Sequence, residues 1–300
     1  MNNYVNSLVA KLQQLLASLK RHRMRLRIPL LIFALTVFVA GAAFSIERLE
    51  LKPSDFVLAP LMLLVLGFVP VVIAYSAINM MLMGKAVGAP VGFIEGVRIS
   101  VFAQVAELLP IPGGTIVRTA ALVNRGAGTV RSAGVVLAFA LLWVSVAAVG
   151  GGLAMLDTGT AGQGLLIFGI AGALAICAWL SNRFGWRIAL PALGLRVLGI
   201  ALVSARTVLA FAAIGLALDW SDSLAFAFGI ILGSAASIVP AGLGIGEAIS
   251  ALLAVPLSVA PEAAFLAVGL ARLVGFAGNM IGVAIFMWFT PTEDRKFGHG

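Results

Sequence analysis

The sequence predicts an all-α polytopic integral membrane protein of about six full spans with two re-entrant helical hairpins, related as an inverted-topology repeat. Three observations lead to that class. Hydrophobic residues make up 61% of the 300 residues, 11% are charged, and mean hydropathy is +1.10. Soluble domains are nearer to about 45–50% apolar and about 25% charged. Two Pro/Gly loops, Pro110-Ile-Pro-Gly-Gly114 and Pro240-Ala-Gly-Leu-Gly-Ile-Gly246, interrupt stretches that otherwise read as membrane helices. If both loops turn the chain back to the side it came from, basic residues gather on one face of the membrane and acidic ones on the other.

Residues 1–27 place Val5, Leu8, Val9, Leu12, Leu16 and Leu19 at helical spacing and end in Lys20-Arg-His-Arg-Met-Arg-Leu-Arg27. This is either a cytoplasmic amphipathic helix lying on anionic headgroups or a solvated tail that sets topology. Residues 28–46 exceed the apolar core of a signal peptide, about 7–15 residues, and read as an uncleaved span. The next apolar stretches are 56–83, 93–109 with 115–123, 132–156, 164–181, 199–218, 224–239 with 245–255, and 263–289. The two interrupted stretches hold pieces too short to cross a bilayer, which takes about 20 residues. Each therefore reads as a hairpin that enters and leaves on one side. A single membrane domain over 28–290 results, with a first repeat near 56–156, a second near 199–289, and a tail at 291–300.

The basic residues test this topology. Lys11, the Lys20–Arg27 cluster, Lys85, Arg125, Arg131, Arg183, Arg187, Arg196, Arg295 and Lys296 fall on the N-terminal side, against Arg48 and Lys52 on the other. The positive-inside rule puts both termini in the cytoplasm. Glu47, Glu50, Asp55, Asp157, Asp219, Asp222 and Glu262 collect on the opposite face. Three crossings separate the hairpins, so the first dips in from the cytoplasm and the second from outside. Aligning Pro110 with Pro240 pairs Gly114 with Gly244 without gaps, and the order of runs, loops and breaks repeats. Paired interruptions of this kind point to the substrate site of a transporter.

The chain has one cysteine, Cys177, so no internal disulfide or Cys-based metal cluster is expected. Its two histidines, His22 and His299, lie in the polar tails. No nucleophile–base pair is apparent, and the sequence predicts neither an enzyme nor a cofactor. The formal charge of +8 follows membrane sidedness and is not a nucleic-acid footprint. Ionised residues within the apolar stretches are Glu107, Arg118, Arg206, Glu247 and Arg272. Such residues cost roughly 2.5–3.5 kcal/mol at the bilayer centre on insertion scales and usually face an interior or a cavity. Two accounts stand side by side. Glu107 pairs with Arg118 and Glu247 with Arg272 to hold helices together, or the five groups line a polar cavity with a net positive charge that suits a phosphate. Arginine's planar fork fits that ligand.

The loops allow the same two readings. Gly113 and Gly114, with Pro110 before them, and Gly242, Gly244 and Gly246, with Pro240, permit either close backbone approach to a ligand or tight helix packing. Thr115 is positioned to cap a half-helix beginning at Ile116. Glu95 and Arg98 are spaced for a surface ion pair. Asn79, Gln104 and Asn279 are candidate cavity liners, Gly150-Gly-Gly152 reads as packing, and the five tryptophans read mostly as an interfacial belt.

The stretch Glu107-Leu-Leu-Pro-Ile-Pro-Gly-Gly-Thr-Ile-Val-Arg118 resembles the first signature of the lysylphosphatidylglycerol synthase transmembrane (flippase-domain) family. Ser237-Ile-Val-Pro-Ala-Gly-Leu-Gly-Ile-Gly-Glu247 resembles its second, and Arg272 its arginine in the last long helix. The resemblance spans roughly residues 28–290 and implies a stand-alone member, without the family's aminoacyl-transferase domain, acting in a bacterial inner membrane. Two departures stand out: the acid near the first loop comes early, as Glu107, and the Glu-Arg…Asp pattern of the next helix is missing from residues 134–148. The resemblance implies membrane lipids as partners and Arg118, Glu247 and Arg272 as functional positions. The expected activity is movement of a phosphate-containing lipid between leaflets. The alternative is a non-transporting partner of a separate lipid-modifying enzyme, for example in hopanoid or glycolipid synthesis.

Overall fold

The computed structural model describes residues 32, 35–107, 113–235 and 242–289, with side chains to residue 284. The expected amphipathic segment 1–27, the start of the first span, Pro110, Pro240 and the tail 291–300 lie outside the described residues. Among the described residues the regular structure is helical, with no strand. We number the helices α1 (35–48), α2 (Leu58–Val87), α3 (Phe93–Ala106), α4 (Gly113–Asn124), α5 (Thr129–Ala154), α6 (Thr160–Phe184), α7 (Trp186–Ala213), α8 (Trp220–Ala235), α9 (Ile245–Ala254) and α10 (Pro261–Phe289).

Five of these, α2, α5, α6, α7 and α10, are long and apolar enough to cross a membrane. Their outward faces carry large bare apolar side chains, among them Leu66, Ile167, Phe168, Leu174 and Leu190, as lipid as a solvent permits. The chain is an all-α polytopic membrane protein. Apart from α1, which begins at the edge of the described residues, the remaining helices are short. α3, α4, α8 and α9 run for 14, 12, 16 and 10 residues. At 1.5 Å per residue none exceeds about 24 Å, less than the roughly 30 Å hydrocarbon core.

These four form two antiparallel pairs. In the first, Gly113 lies on the Ala106 carbonyl at the tip, and Arg125 pairs with Glu95 where the arms open. In the second, Gly233 faces Gly246 and Gly229 faces Ser250, a register that only antiparallel arms give. The Glu95–Arg98 pair expected from spacing is not formed: Arg125 reaches Glu95 across the hairpin, with Nε to Oε1 at 2.8 Å, and also takes the Pro90 carbonyl. Arg125→Ala should therefore destabilise the first hairpin by up to about 1 kcal/mol, since the pair is partly exposed. Arg98→Ala should leave thermal unfolding in detergent unchanged.

The long helices arrange these hairpins into two units. α2 and α7 are antiparallel: Val57 donates to the Ala213 carbonyl, while Tyr75 sits against Gly199. α10 runs parallel to α2, because Gly278 meets Val69 and Gly282 meets Ile73. α2–α5 form one unit and α7–α10 the other, running in the opposite direction. The main interfaces of one unit have counterparts in the other. α5 packs on α8, and α10 packs on α3, so the helix after each hairpin braces the first arm of the other. α6 belongs to neither unit and lies along α5, where Gly152 meets the Leu166 backbone and Gly169 meets Val149. Packing, as expected, accounts for Gly152 and for Gly151 against Phe228.

One boundary differs from expectation by more than two helical turns. The span predicted to begin at residue 199 starts at Trp186, so Arg196 lies inside α7 and not in a basic loop. It is buried there, 7% exposed. The Tyr75 hydroxyl accepts from its Nη1 at 3.1 Å, and the rings of Phe139 and Trp143 lie 5.3 and 5.2 Å from its guanidinium. Those aromatic faces supply the cation–π attraction that lets a charge stay in the interior. Trp143 is accordingly a core residue and not part of an interfacial belt. Trp179, Trp186 and Trp220 do stand exposed.

Candidate functional site

The first tip is built by small residues. A Cβ at Gly113 would overlap the Ala106 carbonyl, and one at Gly114 would overlap Glu107 Oε1, so both glycines let α4 begin directly against the end of α3. Thr115 lies inside α4 and does not cap it. Glu107 sits at the C-cap of α3, an unfavourable place for a carboxylate beside the negative helix end. The start of α4 and Arg118 offset this: Nη1 and Nη2 of Arg118 both reach Glu107 Oε1 at 3.3 Å. The pair is partly open, with side chains 24% and 44% exposed.

The second tip is closed. Gly242 and Gly244 have φ of +67° and +81°, a left-handed backbone that glycine adopts without strain. Glu247 Oε2 accepts the Gly244 N–H at 2.9 Å, which satisfies a free donor at the start of α9. The same oxygen accepts from Arg272 Nη1 at 3.2 Å, and that nitrogen also donates to the Gly242 carbonyl at 2.6 Å. Arg272, from α10, therefore staples the turn on both sides. Gly246 leaves the room its guanidinium occupies. Glu247 is fully buried, and neither its Oε1 nor Arg272 Nη2 has a hydrogen-bond partner among the described residues.

Both carboxylate–arginine pairs weighed from the sequence are thus formed, and they are unlike. One is half open at a hairpin tip, while the other is sealed inside. Arg206 is different again. It has neither an ion-pair nor a hydrogen-bond partner among the described residues, and its Nε is buried. Its Nη1 lies beside Gly275, one helical turn beyond Arg272. Arg196 and Arg206 stand ten residues apart on α7, roughly 15 Å, so one helix carries a cation toward each tip. Arg196 was missed from the sequence because Arg187, Pro191 and Arg196 together read as a polar break. The available signal was that residues 188–205 are apolar apart from Arg196 and Ser204.

A small cavity lies between the two units, lined by Leu64, Phe68, Val69 and Val72 of α2, Gln104 of α3, Arg206 of α7, and Val274, Gly275 and Asn279 of α10. It therefore joins Arg206 with two of the three amides singled out from the sequence. The third, Asn79, donates instead to the Tyr75 carbonyl one turn back. No family model and no curated protein matches the chain.

Proposed function

We propose that the protein moves a phosphate-containing lipid between the leaflets of a bacterial inner membrane. The observation that carries this reading is the pair of oppositely directed four-helix units, each with a broken, charged hairpin tip, with a small, mostly apolar cavity between them into which Gln104, Arg206 and Asn279 bring polar groups. That arrangement suits alternating access, in which one unit rocks against the other around a fixed site. On this reading the hairpins are re-entrant, both termini are cytoplasmic, and the lipid tails remain in the bilayer while the headgroup passes the tips. Glu107 and Arg118 form the tip that opens, because their pair is partly exposed. Glu247 and Arg272 brace the other tip. Removing Arg196 from the cytoplasmic basic residues leaves the positive-inside bias intact, and the resemblance of both loops to a lipid-translocating family points the same way.

The test is transfer of a fluorescent phosphatidylglycerol in proteoliposomes, read by its access to a membrane-impermeant quencher. Wild-type protein should expose inner-leaflet lipid over time, and Arg118→Ala should slow that exposure by at least tenfold while keeping its thermal unfolding temperature. Exposure no faster than in protein-free vesicles would overturn the transport reading. Lipid that co-purifies but never moves would point instead to a partner of a lipid-modifying enzyme.

A further inference from the structure

We propose that Arg206, with Gln104 and Asn279, forms the subsite that takes the phosphate, in place of the two arginines that already hold carboxylates. The inference deepens the transport reading and rests on it for the origin of the ligand. The three arginines differ in the charge each has left to offer. An incoming phosphate must displace Glu107 from Arg118, or Glu247 and the Gly242 carbonyl from Arg272. Arg206 meets no such competitor. Its Nε is a buried donor without an acceptor, a costly state for a charged group. A bound oxyanion removes that cost.

The surroundings fit the same ligand. Gln104 donates one amide hydrogen to Ser76 Oγ at 3.1 Å, which leaves its second amide hydrogen for the cavity. The side chain of Asn279 has no partner among the described residues. A guanidinium and two carboxamides on three helices are a donor set for a tetrahedral oxyanion, whose several lone pairs each need a partner. The cavity offers about 50 Å³ to the centres of water-sized molecules, room for roughly three to five waters, and so for one compact headgroup and not a whole lipid.

Its outer wall is the second, independent observation. α2 loosens into a π-helical turn over Leu63–Phe68, beside the cavity. The cause is local: Pro70 has no N–H to give the Leu66 carbonyl, so the regular ladder cannot close there. Turns of this kind recur at functional sites. Here the turn places Leu64 and Phe68 on the cavity and Leu66 on the lipid face, where an acyl chain can lie while its phosphate reaches Arg206.

The experiment is native mass spectrometry of the full-length protein with added short-chain phosphatidylglycerol, matched diacylglycerol, and inorganic phosphate. Wild-type protein should bind phosphatidylglycerol at least tenfold more tightly than diacylglycerol. Arg206→Gln should lose that preference, and Arg98→Gln, which removes an exposed charge elsewhere, should keep it. Should Arg206→Gln fold poorly, Asn279→Asp supplies the arginine with an internal counter-ion and should abolish the preference in a stable protein. Competition by inorganic phosphate at equal strength assigns the site to the free ion, and its absence assigns it to the lipid headgroup; both outcomes support the subsite. Unchanged preference in Arg206→Gln or Asn279→Asp would overturn it. The measurement reads binding, so a protein that fails to move lipid in vesicles can still pass it.

Discussion

Replacing Glu247 with Ala is expected to destabilise the protein more than any other single change considered, by about 3–5 kcal/mol. The carboxylate is fully buried and is the counter-ion of Arg272, itself 7% exposed. Without it the guanidinium stays in the interior with the Gly242 carbonyl as its remaining acceptor, and the Gly244 N–H loses its own. For a chain of this size the loss corresponds to a fall in unfolding temperature on the order of 10 °C, measurable by thermal denaturation in detergent. Adding Arg272→Met should recover much of it, because an apolar side chain of similar length removes the stranded charge. An unfolding temperature in Glu247→Ala equal to that of wild type would contradict the buried pair.

Gly242→Ala should follow closely. Its φ of +67° costs an L-residue about 1–2 kcal/mol, and the new methyl would overlap the carbonyl of Gly233 on the facing arm. Neither atom group can swing aside, since both are backbone or directly attached to it. Gly88→Ala separates the two effects: Gly88 has φ of +79° with nothing within 4 Å of the added methyl. The expected result is a loss at residue 242 more than twice that at residue 88. Equal losses would mean that the two arms do not approach as closely as described.

Both hairpins are legible because Pro and Gly break helices wherever they occur in pairs, independent of any neighbour. The direction of the second unit is legible from charge, since each loop adds its own vote. Partner choice is not legible in this way. Glu95 has Arg98 at helical spacing, yet it takes Arg125 from the other arm, a decision made by the hairpin and not by the local sequence. Arg196 looks like loop charge until Tyr75, Phe139 and Trp143 are brought around it from two other helices. Of the candidate cations, the sequence could count Arg118, Arg206 and Arg272 but could not tell which one the fold leaves without a carboxylate.

The odd helix out carries a consequence of its own. α6 joins neither unit and meets the rest of the chain mainly along α5, yet its mere presence fixes the parity of the connection between the two halves. With one traverse between α5 and α7, the later copy is threaded upside down; with none, both copies would point the same way. A spacer of this sort needs only length, an apolar exterior and a seam of small residues where it touches its neighbour. Evolution can therefore rewrite most of α6 freely, while the handed relation between the halves depends on its never being lost.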